Sequence, residues 1–262
     1  MSDPTQATQR TALVTGGSSG IGAAAASRLA GAGCHVAVTY RRNEQGAEET
    51  VRRCLDAGVD AFCVGGDVAD DASCRAVAQA VLDRWGRIDV LVNNAGMTRF
   101  AEAGNLDALQ AADFDRIFAV NVTGAYQMTR AAGAALEANL GSVVTVSSHA
   151  GLSGIGSSMA YAASKGALNT LTLSLARTLA PAVRVNAVCP GFVDTDWMKP
   201  KLGEDGLAAF RDRVAQNAPL KTVPTADDVA DAIAWLALSA RAITGQLLVI
   251  DGGTHLTVGS PL

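Results

Sequence analysis

No apolar run in the sequence approaches the length of about 20 residues that a membrane-spanning helix needs. Residues 1–10 are polar and carry no apolar signal-peptide core. The formal net charge is only −4, which gives no electrostatic reason to expect nucleic acid or an anionic membrane as a partner. We therefore expect a cytoplasmic protein that binds neither.

Patterns typical of metal sites and disulfide frameworks are also missing. The five cysteines include no CxxC pair, and their odd number is typical of reduced thiols in a cytosolic protein. His35, His149 and His255 are far apart in the sequence and form no ligand cluster. The sequence predicts neither a disulfide framework nor a metal site.

Apolar residues, in contrast, make up 49% of the chain, against 5% aromatic and 18% charged residues. Such a composition can bury a sizeable core and argues against disorder. The length of 262 residues fits one large domain, and neither an internal repeat nor a low-complexity linker divides the chain. We predict a single domain over residues 1–262.

Short apolar segments alternate with longer amphipathic segments throughout the chain. The short segments, typical of strands buried on both faces, are residues 11–15, 36–39, 61–64, 88–92, 142–146, 183–188 and 247–250. Helical patterns occupy residues 20–32, 44–57, 71–85 and 225–238. The predicted helix ends are the N-caps Asp70 and Thr225 and the C-terminal stops Gly33, Gly58 and Gly86.

This alternation predicts an α/β fold. We expect a Rossmann-type, doubly wound parallel sheet of about seven strands with helices on both faces. Its ligand crevice would lie at the carboxyl ends of the strands. Residues 191–224 interrupt the rhythm and contain three prolines, Pro200, Pro219 and Pro224. We predict that a segment from about residue 192 to about residue 222 forms a lid over the crevice.

A glycine-rich turn, TGGSSGIG at residues 15–22, follows the first predicted strand and precedes a helical pattern. Glycines allow a sharp turn and a close approach of the backbone to a diphosphate, and the free N–H groups at a helix start bind anions. Such turns also join elements without any ligand. In this position the turn favours a dinucleotide site, whose residues would be Gly16, Ser18, Ser19, Gly20, Ile21 and Gly22.

Tyr161 and Lys165 are four residues apart at the start of a helical pattern, so both side chains lie on one helix face. A tyrosine with a pKa of about 10 is a poor acid or base at neutral pH, and a nearby ammonium lowers that pKa toward a useful range. An ordinary amphipathic pair is the alternative. No Gly-x-Ser-x-Gly elbow surrounds Ser147 or Ser148, which excludes a hydrolase of that type.

Further motifs follow in a fixed order along the chain. They are Asp67-Val68, Asn93-Asn94-Ala95-Gly96, Asn121, Ser148, Pro190-Gly191 and Asp251-Gly252-Gly253. Together with TGxxxGIG and YxxxK, their order and spacing resemble those of the short-chain dehydrogenase/reductase family in its single-domain form. The resemblance implies an oxidoreductase that transfers a hydride between a nicotinamide cofactor and a carbonyl or secondary alcohol on a small molecule.

By this resemblance the catalytic residues are Asn121, Ser148, Tyr161 and Lys165. Tyr161 would be the general acid and base, Ser148 would hold the substrate oxygen, and Lys165 would bind the nicotinamide ribose. Asn121 would hold a helix kink and a water that connects Lys165 with solvent. A purely structural asparagine is the alternative.

The resemblance also implies contacts with the cofactor. Asp67 and the Val68 backbone would bind the adenine, although Asp67 also fits a turn cap. Asn94 would lie beside the adenosine ribose, although the Asn pair also fits a strand end. The other implied cofactor residues are Ala95, Gly96, Tyr161, Lys165, Pro190, Gly191, Val193 and Thr195.

Charge indicates which nicotinamide is used. The second predicted strand is followed by Tyr40, Arg41 and Arg42, with no carboxylate to accept the 2′-hydroxyl of NAD. Two guanidiniums suit a 2′-phosphate, unless they are only a solvated turn. Against this, Ser19 stands where many NADP-preferring relatives have a basic residue. We predict NADP(H) as the preferred cofactor, with NAD(H) also open.

Substrate recognition is expected from residues 97–106, 150–159 and 192–218, whose bulky apolar residues indicate a mostly apolar pocket. Residues 131–140 contain Glu137 and no Lys or Arg, which disfavours a 3-ketoacyl thioester carried on an acidic protein without excluding it. The resemblance also implies a homo-oligomer, a tetramer or a dimer. Apolar helix faces at residues 125–136 and 167–179 fit that expectation.

Two other functions stay open. A cofactor-sensing regulator of the same fold usually lacks the tyrosine or the lysine, and both are present here. An isomerase or dehydratase that works by transient oxidation usually has a longer chain with a substantial C-terminal domain. The sequence therefore favours a dehydrogenase or reductase.

Overall fold

One seven-stranded parallel sheet organises the molecule, of which the computed structural model describes residues 9–102 and 104–257. The strands are β1 (Thr11–Val14), β2 (His35–Tyr40), β3 (Ala61–Gly65), β4 (Val90–Asn93), β5 (Ser142–Val146), β6 (Arg184–Pro190) and β7 (Leu247–Ile250). Their order across the sheet is β3-β2-β1-β4-β5-β6-β7. Every predicted strand is present, with ends displaced by at most two residues, and the predicted doubly wound fold is confirmed.

Helices connect the strands. Before β5 they are α1 (Gly20–Gly31), α2 (Glu44–Asp56), α3 (Asp71–Trp85), α4 (Ala111–Phe118) and α5 (Gly124–Ala138). After β5 they are α6 (Ala150–Ser153), α7 (Met159–Leu179), α8 (Lys199–Asn217) and α9 (Ala226–Leu238). A π-helical turn, Ala119–Thr123, joins α4 to α5. The helices predicted from the sequence pattern correspond to α1, α2, α3 and α9.

The predicted helix ends have identifiable contacts. The Asp70 side chain accepts a hydrogen bond from a first-turn N–H of α3, and Thr225 does the same at the start of α9. Gly86 ends α3 with a φ of 70°, a left-handed conformation that a residue without Cβ adopts at little cost. Gly33 and Gly58 follow α1 and α2 with φ values in the same region.

The sheet is buried on both faces. Ala12 and Val14 of β1 belong to a core layer shared with α1 and α9, whereas Leu13 between them belongs to the opposite layer, shared with α3 and α5. This alternation follows from the two-residue period of a strand. Each buried Val or Leu contributes roughly 1.5–3 kcal/mol through the hydrophobic effect, and the two layers together fix the position of every strand end.

The crevice lies where the strand order changes direction. β2 and β3 lie on one side of β1, and β4 to β7 lie on the other. At such a switch point the connections leave the sheet in opposite directions, so the carboxyl ends of β1 and β4 open a crevice. The glycine turn after β1, the Asn94–Gly96 segment after β4, Ser148 after β5 and Pro190 at the end of β6 therefore share one edge of the sheet.

The segment predicted as a lid is largely helical. A 3-10 turn at Asp196–Met198 leads into α8. Gly203, with a φ of 67° and a ψ of −177°, divides α8 into two helical pieces. The sequence pattern did not predict α8 because glycine and proline are poor helix formers and hide its periodicity.

The described part of the chain contains neither a membrane-spanning helix nor a cluster of metal ligands. No helix in residues 9–102 and 104–257 has the length and apolar content needed to cross a membrane. Over the same residues, no group of three or more His, Cys, Asp or Glu side chains is arranged to hold a metal ion. The five cysteines are free thiols.

Arg184 joins β6 to the end of α9. Its guanidinium donates hydrogen bonds to the carbonyl oxygens of Leu236 at 2.6 Å, Ala237 at 2.7 Å and Ala240 at 3.0 Å. We expect Arg184→Met to lower the free energy of unfolding by about 2–3 kcal/mol, because these carbonyls lose a charged donor. Urea unfolding beside Arg177→Met, an exposed arginine of α7, checks this. Equal losses in the two variants would contradict it.

Candidate active site

The glycine-rich turn between β1 and α1 packs closely against its neighbours. Gly16 has a φ of 64°, and a Cβ added to it would lie 3.0 Å from Cα of Ala95 in the loop after β4. A Cβ at Gly17 would lie 2.6 Å from Cβ of Val38 in β2. Any side chain at these positions would push the turn away from the sheet.

Thr15 and Asn94 hold this turn in place by hydrogen bonds. Thr15 Oγ1 accepts from the backbone N–H groups of Asn94 and Ala95, both at 3.0 Å. The side-chain amide of Asn94 donates to the carbonyl oxygens of Thr15 and Gly16, both at 2.9 Å. The Asn94 amide is thus committed to the turn, which agrees with a strand-end role. Its position beside a ribose stays a prediction.

The N-terminus of α1 fits an anion. Ser19 is the N-cap, but its side chain makes no capping hydrogen bond, and the first N–H groups of a helix have no partner within the helix. A Cβ at Gly20 would lie 3.7 Å from Cγ2 of Thr195, so Thr195 lies beside the turn, and its contact with the cofactor stays a prediction. The carbonyl oxygen of Ser18 accepts a hydrogen bond from Asn43, and Ile21 packs on the core below. Free N–H groups and the helix dipole suit a diphosphate here.

The residues predicted to select the cofactor lie after β2 and β3. Arg41 Nε is 2.8 Å from Asp67 Oδ2, so the predicted phosphate ligand and the predicted adenine ligand form an ion pair. The Tyr40 hydroxyl donates to Glu44 at 2.5 Å, a hydrogen bond that raises the pKa of Tyr40 to about 12. Arg42 is exposed. No carboxylate in the described part of the chain lies within 4.0 Å of its guanidinium, so Arg42 can meet an anion without breaking an ion pair.

Val68 is held against α5. Its carbonyl oxygen accepts a hydrogen bond from the Gln127 side chain at 2.8 Å, and a Cβ at Gly124 would lie 2.7 Å from Cγ2 of Val68. The backbone after β3 is therefore fixed at the edge of the crevice, where an adenine contact is predicted.

Tyr161, Ser148 and Lys165 come together at the carboxyl edge of β5. Lys165 Nζ lies 5.6 Å from the centroid of the Tyr161 ring. Burial raises the pKa of Tyr161, and a hydrogen bond with Ser148 offsets only part of that rise. The phenol is therefore neutral at pH 7, which is the form that can give a proton.

Lys165 is buried, with 4% of its surface exposed. Its Nζ donates to the carbonyl oxygen of Val146, the last residue of β5, at 2.7 Å. Burial lowers the pKa of Lys165 to about 8, so the ammonium is still mostly protonated at neutral pH. A Cβ at Gly96 would lie 3.8 Å from Nζ. A larger residue there would narrow the space beside the ammonium.

Asn121 lies in the π-helical turn between α4 and α5 and is buried. Its Oδ1 accepts from the Met97 N–H at 2.8 Å, and its Nδ2 donates to the Met97 carbonyl and to Ser164 Oγ, both at 3.0 Å. Ser164 Oγ donates in turn to the Tyr161 carbonyl at 2.7 Å. The side chain ties the loop after β4 to α7, which fits both the predicted helix irregularity and the structural alternative.

Pro190 and Gly191 end β6 beside the catalytic cluster. The Pro190 carbonyl accepts from the His149 N–H at 2.8 Å. A Cβ at Gly191 would lie 2.7 Å from Cβ of Asp251, so this pair packs tightly against the turn after β7. Val193 follows as a buried residue. These three predicted cofactor residues thus follow one another at the carboxyl end of β6, and their contact with the nicotinamide stays a prediction.

Asn169 was missed in the sequence analysis. Its Oδ1 accepts from Ser147 Oγ at 2.5 Å, and its Nδ2 donates to the Gly151 carbonyl at 3.3 Å. Ser147 Oγ also lies 3.3 Å from the Lys165 carbonyl oxygen. Asn169 therefore ties β5, α6 and α7 together behind the catalytic side chains. The four-residue spacing of Tyr161, Lys165 and Asn169 could have indicated it, since such residues share a helix face.

A cleft of about 530 Å³ opens beside the loop after β4. Its lining consists of Met97, Thr98, Arg99, Phe100, Asp113, Arg116 and Ile117. The pocket expected to be mostly apolar therefore also carries charge, from Arg99 within the predicted segment and from Asp113 and Arg116 of α4. From the other side Trp197 approaches Tyr161, with ring centroids 6.4 Å apart.

Comparison with known proteins gives the context of this arrangement. The family described as enoyl-(acyl carrier protein) reductase matches residues 16–255. A Streptomyces violaceoruber protein named as ketoacyl reductase 2 of the granaticin polyketide synthase is 42% identical over 94% of this chain and 96% of its own length. The 2-(R)-hydroxypropyl-CoM dehydrogenase of Xanthobacter autotrophicus is 40% identical over 93% of this chain and 97% of its own length.

A solved structure agrees with these sequence matches. The crystal structure of a short chain dehydrogenase from Burkholderia cenocepacia in complex with NADP superposes with a TM-score of 0.84 at 37% identity. The superposition covers 95% of this chain and 99% of that chain. Since the family match covers residues 16–255 and the relatives cover more than nine-tenths of the chain, the predicted resemblance is confirmed. The chain belongs to the short-chain dehydrogenase/reductase family, whose oxidoreductases transfer a hydride between a nicotinamide cofactor and a carbonyl or alcohol carbon.

Proposed function

We propose that the chain reduces a carbonyl group on a small molecule with NADPH, and that Tyr161 donates the proton. The cluster at the carboxyl edge of β5 carries this proposal, because Ser148 and Lys165 flank the Tyr161 phenol there. The glycine turn lies along the same edge of the sheet. With Asn121 also in contact with α7, the four catalytic positions favour an enzyme over a cofactor-sensing regulator of the same fold.

Different residues of the chain hold the substrate carbonyl and donate the proton. When bound, the nicotinamide supplies the hydride that adds to the carbonyl carbon. The Ser148 hydroxyl holds and polarises the carbonyl oxygen. The Tyr161 hydroxyl gives its proton to that oxygen as negative charge builds on it. The neutral phenol that this step needs is the form that burial favours.

Lys165 supports the proton transfer electrostatically. Its ammonium, 5.6 Å from the Tyr161 ring centroid, stabilises the phenolate that remains. We assign the hydroxyls of the nicotinamide ribose to the same ammonium, beside Gly96, with Pro190, Gly191 and Val193 around the nicotinamide. In the oxidative direction the phenolate takes the proton from the alcohol.

NADP(H) is the cofactor that the crevice favours. Arg42 is the guanidinium we assign to the 2′-phosphate, because Arg41 is paired with Asp67. A solved relative was crystallised in complex with NADP. NAD(H) is the second cofactor we expect, since a guanidinium beside the ribose favours the 2′-phosphate without excluding a 2′-hydroxyl.

The substrate lies under the lid segment. Trp197 of this segment reaches Tyr161, while Thr195 reaches the glycine turn, so one segment covers both the substrate and the cofactor sides. A relative with 42% identity is named a ketoacyl reductase, which favours a 3-ketoacyl thioester among the candidate substrates.

Self-association and a cytoplasmic location complete the proposal. Tyr126 on α5 and Leu173 on α7 expose 42% and 45% of their surfaces, which suits a homotetramer or dimer built through these helices. The free thiols suit a reducing compartment.

Tyr161→Phe removes the proton donor and keeps the ring. We expect kcat to fall at least about 100-fold while NADPH affinity changes little. Nicotinamide absorbance with ketones, quinones, keto-sugars and 3-ketoacyl thioesters measures turnover, and fluorescence titration measures binding. Tyr126→Phe on the surface of α5 is the control. Full turnover by Tyr161→Phe would remove Tyr161 from the mechanism, and failure of the unaltered protein to bind NADPH or NADH would overturn the function.

Arg42→Gln tests the cofactor assignment. Because a guanidinium lost from a phosphate costs a charge-assisted contact, we expect the Kd for NADPH to rise about tenfold with little change for NADH. Arg52→Gln, which removes an exposed arginine from α2, serves as the matched control. If both nucleotides weaken equally in Arg42→Gln, the residue does not read the 2′-phosphate.

Lys165→Met tests how far the buried ammonium lowers the free energy of unfolding. The pKa of Lys165 is about 8 in the folded protein and 10.5 in the reference state, so the unfolded chain binds the proton more tightly. The buried charge therefore lowers the free energy of unfolding below pH 8. This destabilisation disappears as the pH rises from 8 to 10.5. We expect Lys165→Met to be inactive yet more stable at pH 7 by about 2 kcal/mol, with a smaller gain near pH 10. A variant less stable than the unaltered protein at pH 7 would refute this.

A further inference from the structure

We propose that the substrate carries an anionic group, a carboxylate or a phosphate ester, and that Arg116 and Lys201 bind this group at the outer end of the cleft beside Phe100. The inference rests on the proposed function, since it names the class of carbonyl compound that the same site reduces. It departs from the sequence analysis, which predicts a mostly apolar pocket.

The cleft adjoins the catalytic tyrosine. Thr98 Oγ1, on the cleft wall, is 2.6 Å from Ser157 Oγ, and the Ala101 N–H donates to the Ser157 carbonyl at 3.0 Å. A Cβ at the preceding residue, Gly156, would lie 3.3 Å from Cδ1 of Tyr161. The loop that forms the cleft is therefore bonded to the segment that touches the Tyr161 ring.

The lid segment contacts both the Tyr161 ring and the Phe100 ring of the cleft. Trp197 lies against Tyr161, with ring centroids 6.4 Å apart, and Lys201 Nζ lies 5.7 Å from the centroid of the Phe100 ring. Four residues of helix advance about 6 Å along the axis. Lys201, four residues after Trp197, thus brings its ammonium to the ring that lines the cleft.

The charges around the cleft do not cancel. Asp113 is the only acid in the lining within the described residues, and Arg99 Nη1 donates to both of its carboxylate oxygens, at 2.7 and 2.6 Å. Arg99 first, and Arg116 as a further charge, hold the pKa of Asp113 below its usual range. No carboxylate of the described ranges lies within 4.0 Å of Arg116 or Lys201. Neither Arg116 nor Lys201 is therefore held in an ion pair, and the two arginines of the lining outnumber its one acid.

The cleft also has an apolar floor. Met97, Phe100 and the buried Ile117 form it. A ligand with its carbonyl at Tyr161 would run an apolar spacer along this floor and place an oxyanion at the two cations. Guanidinium and ammonium groups both bind carboxylates and phosphates. The anion could belong to a free keto acid or to the phosphates of a coenzyme-A-type thioester.

Matched pairs of substrates separate charge from shape. We would measure kcat/KM with NADPH for a homologous series of aliphatic keto acids and for their methyl esters. A second arm compares acetoacetyl coenzyme A with the neutral acetoacetyl N-acetylcysteamine thioester. The variants are the double substitution Arg116→Gln/Lys201→Gln and the control Arg213→Gln, which removes an exposed cation of α8 that lies over Phe210 rather than in the cleft.

In the double variant we expect kcat/KM to fall about tenfold for the keto acids, for acetoacetyl coenzyme A, or for both. The esters, the neutral thioester and the Arg213→Gln control should change little. A loss confined to the keto acids identifies a free acid as the source of the anion, and a loss confined to the coenzyme A arm identifies the carrier phosphates.

Equal effects on charged and neutral members in both arms would overturn the inference. In that case Tyr161-dependent reduction of the neutral esters would leave the proposed function standing. If the unaltered protein reduces no member of either arm, the inference fails, and Tyr161-dependent turnover of the ketones, quinones and keto-sugars decides separately whether the proposed function stands.

Discussion

The buried ammonium of Lys165 is the contact on which the geometry of the site depends. A cation removed from water needs a close partner, and Lys165 finds it in the Val146 carbonyl at 2.7 Å. That bond fixes α7 against the end of β5. Because Tyr161 lies one turn earlier on α7 and Ser148 lies just beyond Val146, the same contact brings all three functional groups to one point.

Amide side chains around this point hold the surrounding loops and helices in place. Asn94 clamps the glycine turn, Asn121 ties the loop after β4 to α7, and Asn169 joins α6 and α7 to β5. Each amide satisfies buried polar groups that would otherwise cost free energy. The donors and acceptors of the site are thereby set in place before any ligand arrives, which is what electrostatic stabilisation of a reacting oxygen requires.

The sheet was predictable because strands buried on both faces are short apolar runs, and residues 142–146 kept their predicted bounds. The catalytic residues were predictable because their spacing within one helix fixes their common face. Contacts between distant residues were not. Neither the Arg41–Asp67 ion pair nor the approach of Lys201 to Phe100 has a signal in sequence spacing, and Gly203 hid the helical pattern of α8.

The Arg41–Asp67 ion pair does not conflict with the cofactor roles expected of its members. Both side chains are partly exposed, at 48% and 32%, and such surface pairs contribute only about 0–1 kcal/mol. Adenine binding at Asp67 would release Arg41 beside Arg42, which brings a second guanidinium to the 2′-phosphate. A dianionic phosphate binds arginine at least as strongly as one carboxylate does. On the proposed roles the exchange would cost little, and it would couple recognition of the adenine to recognition of the phosphate.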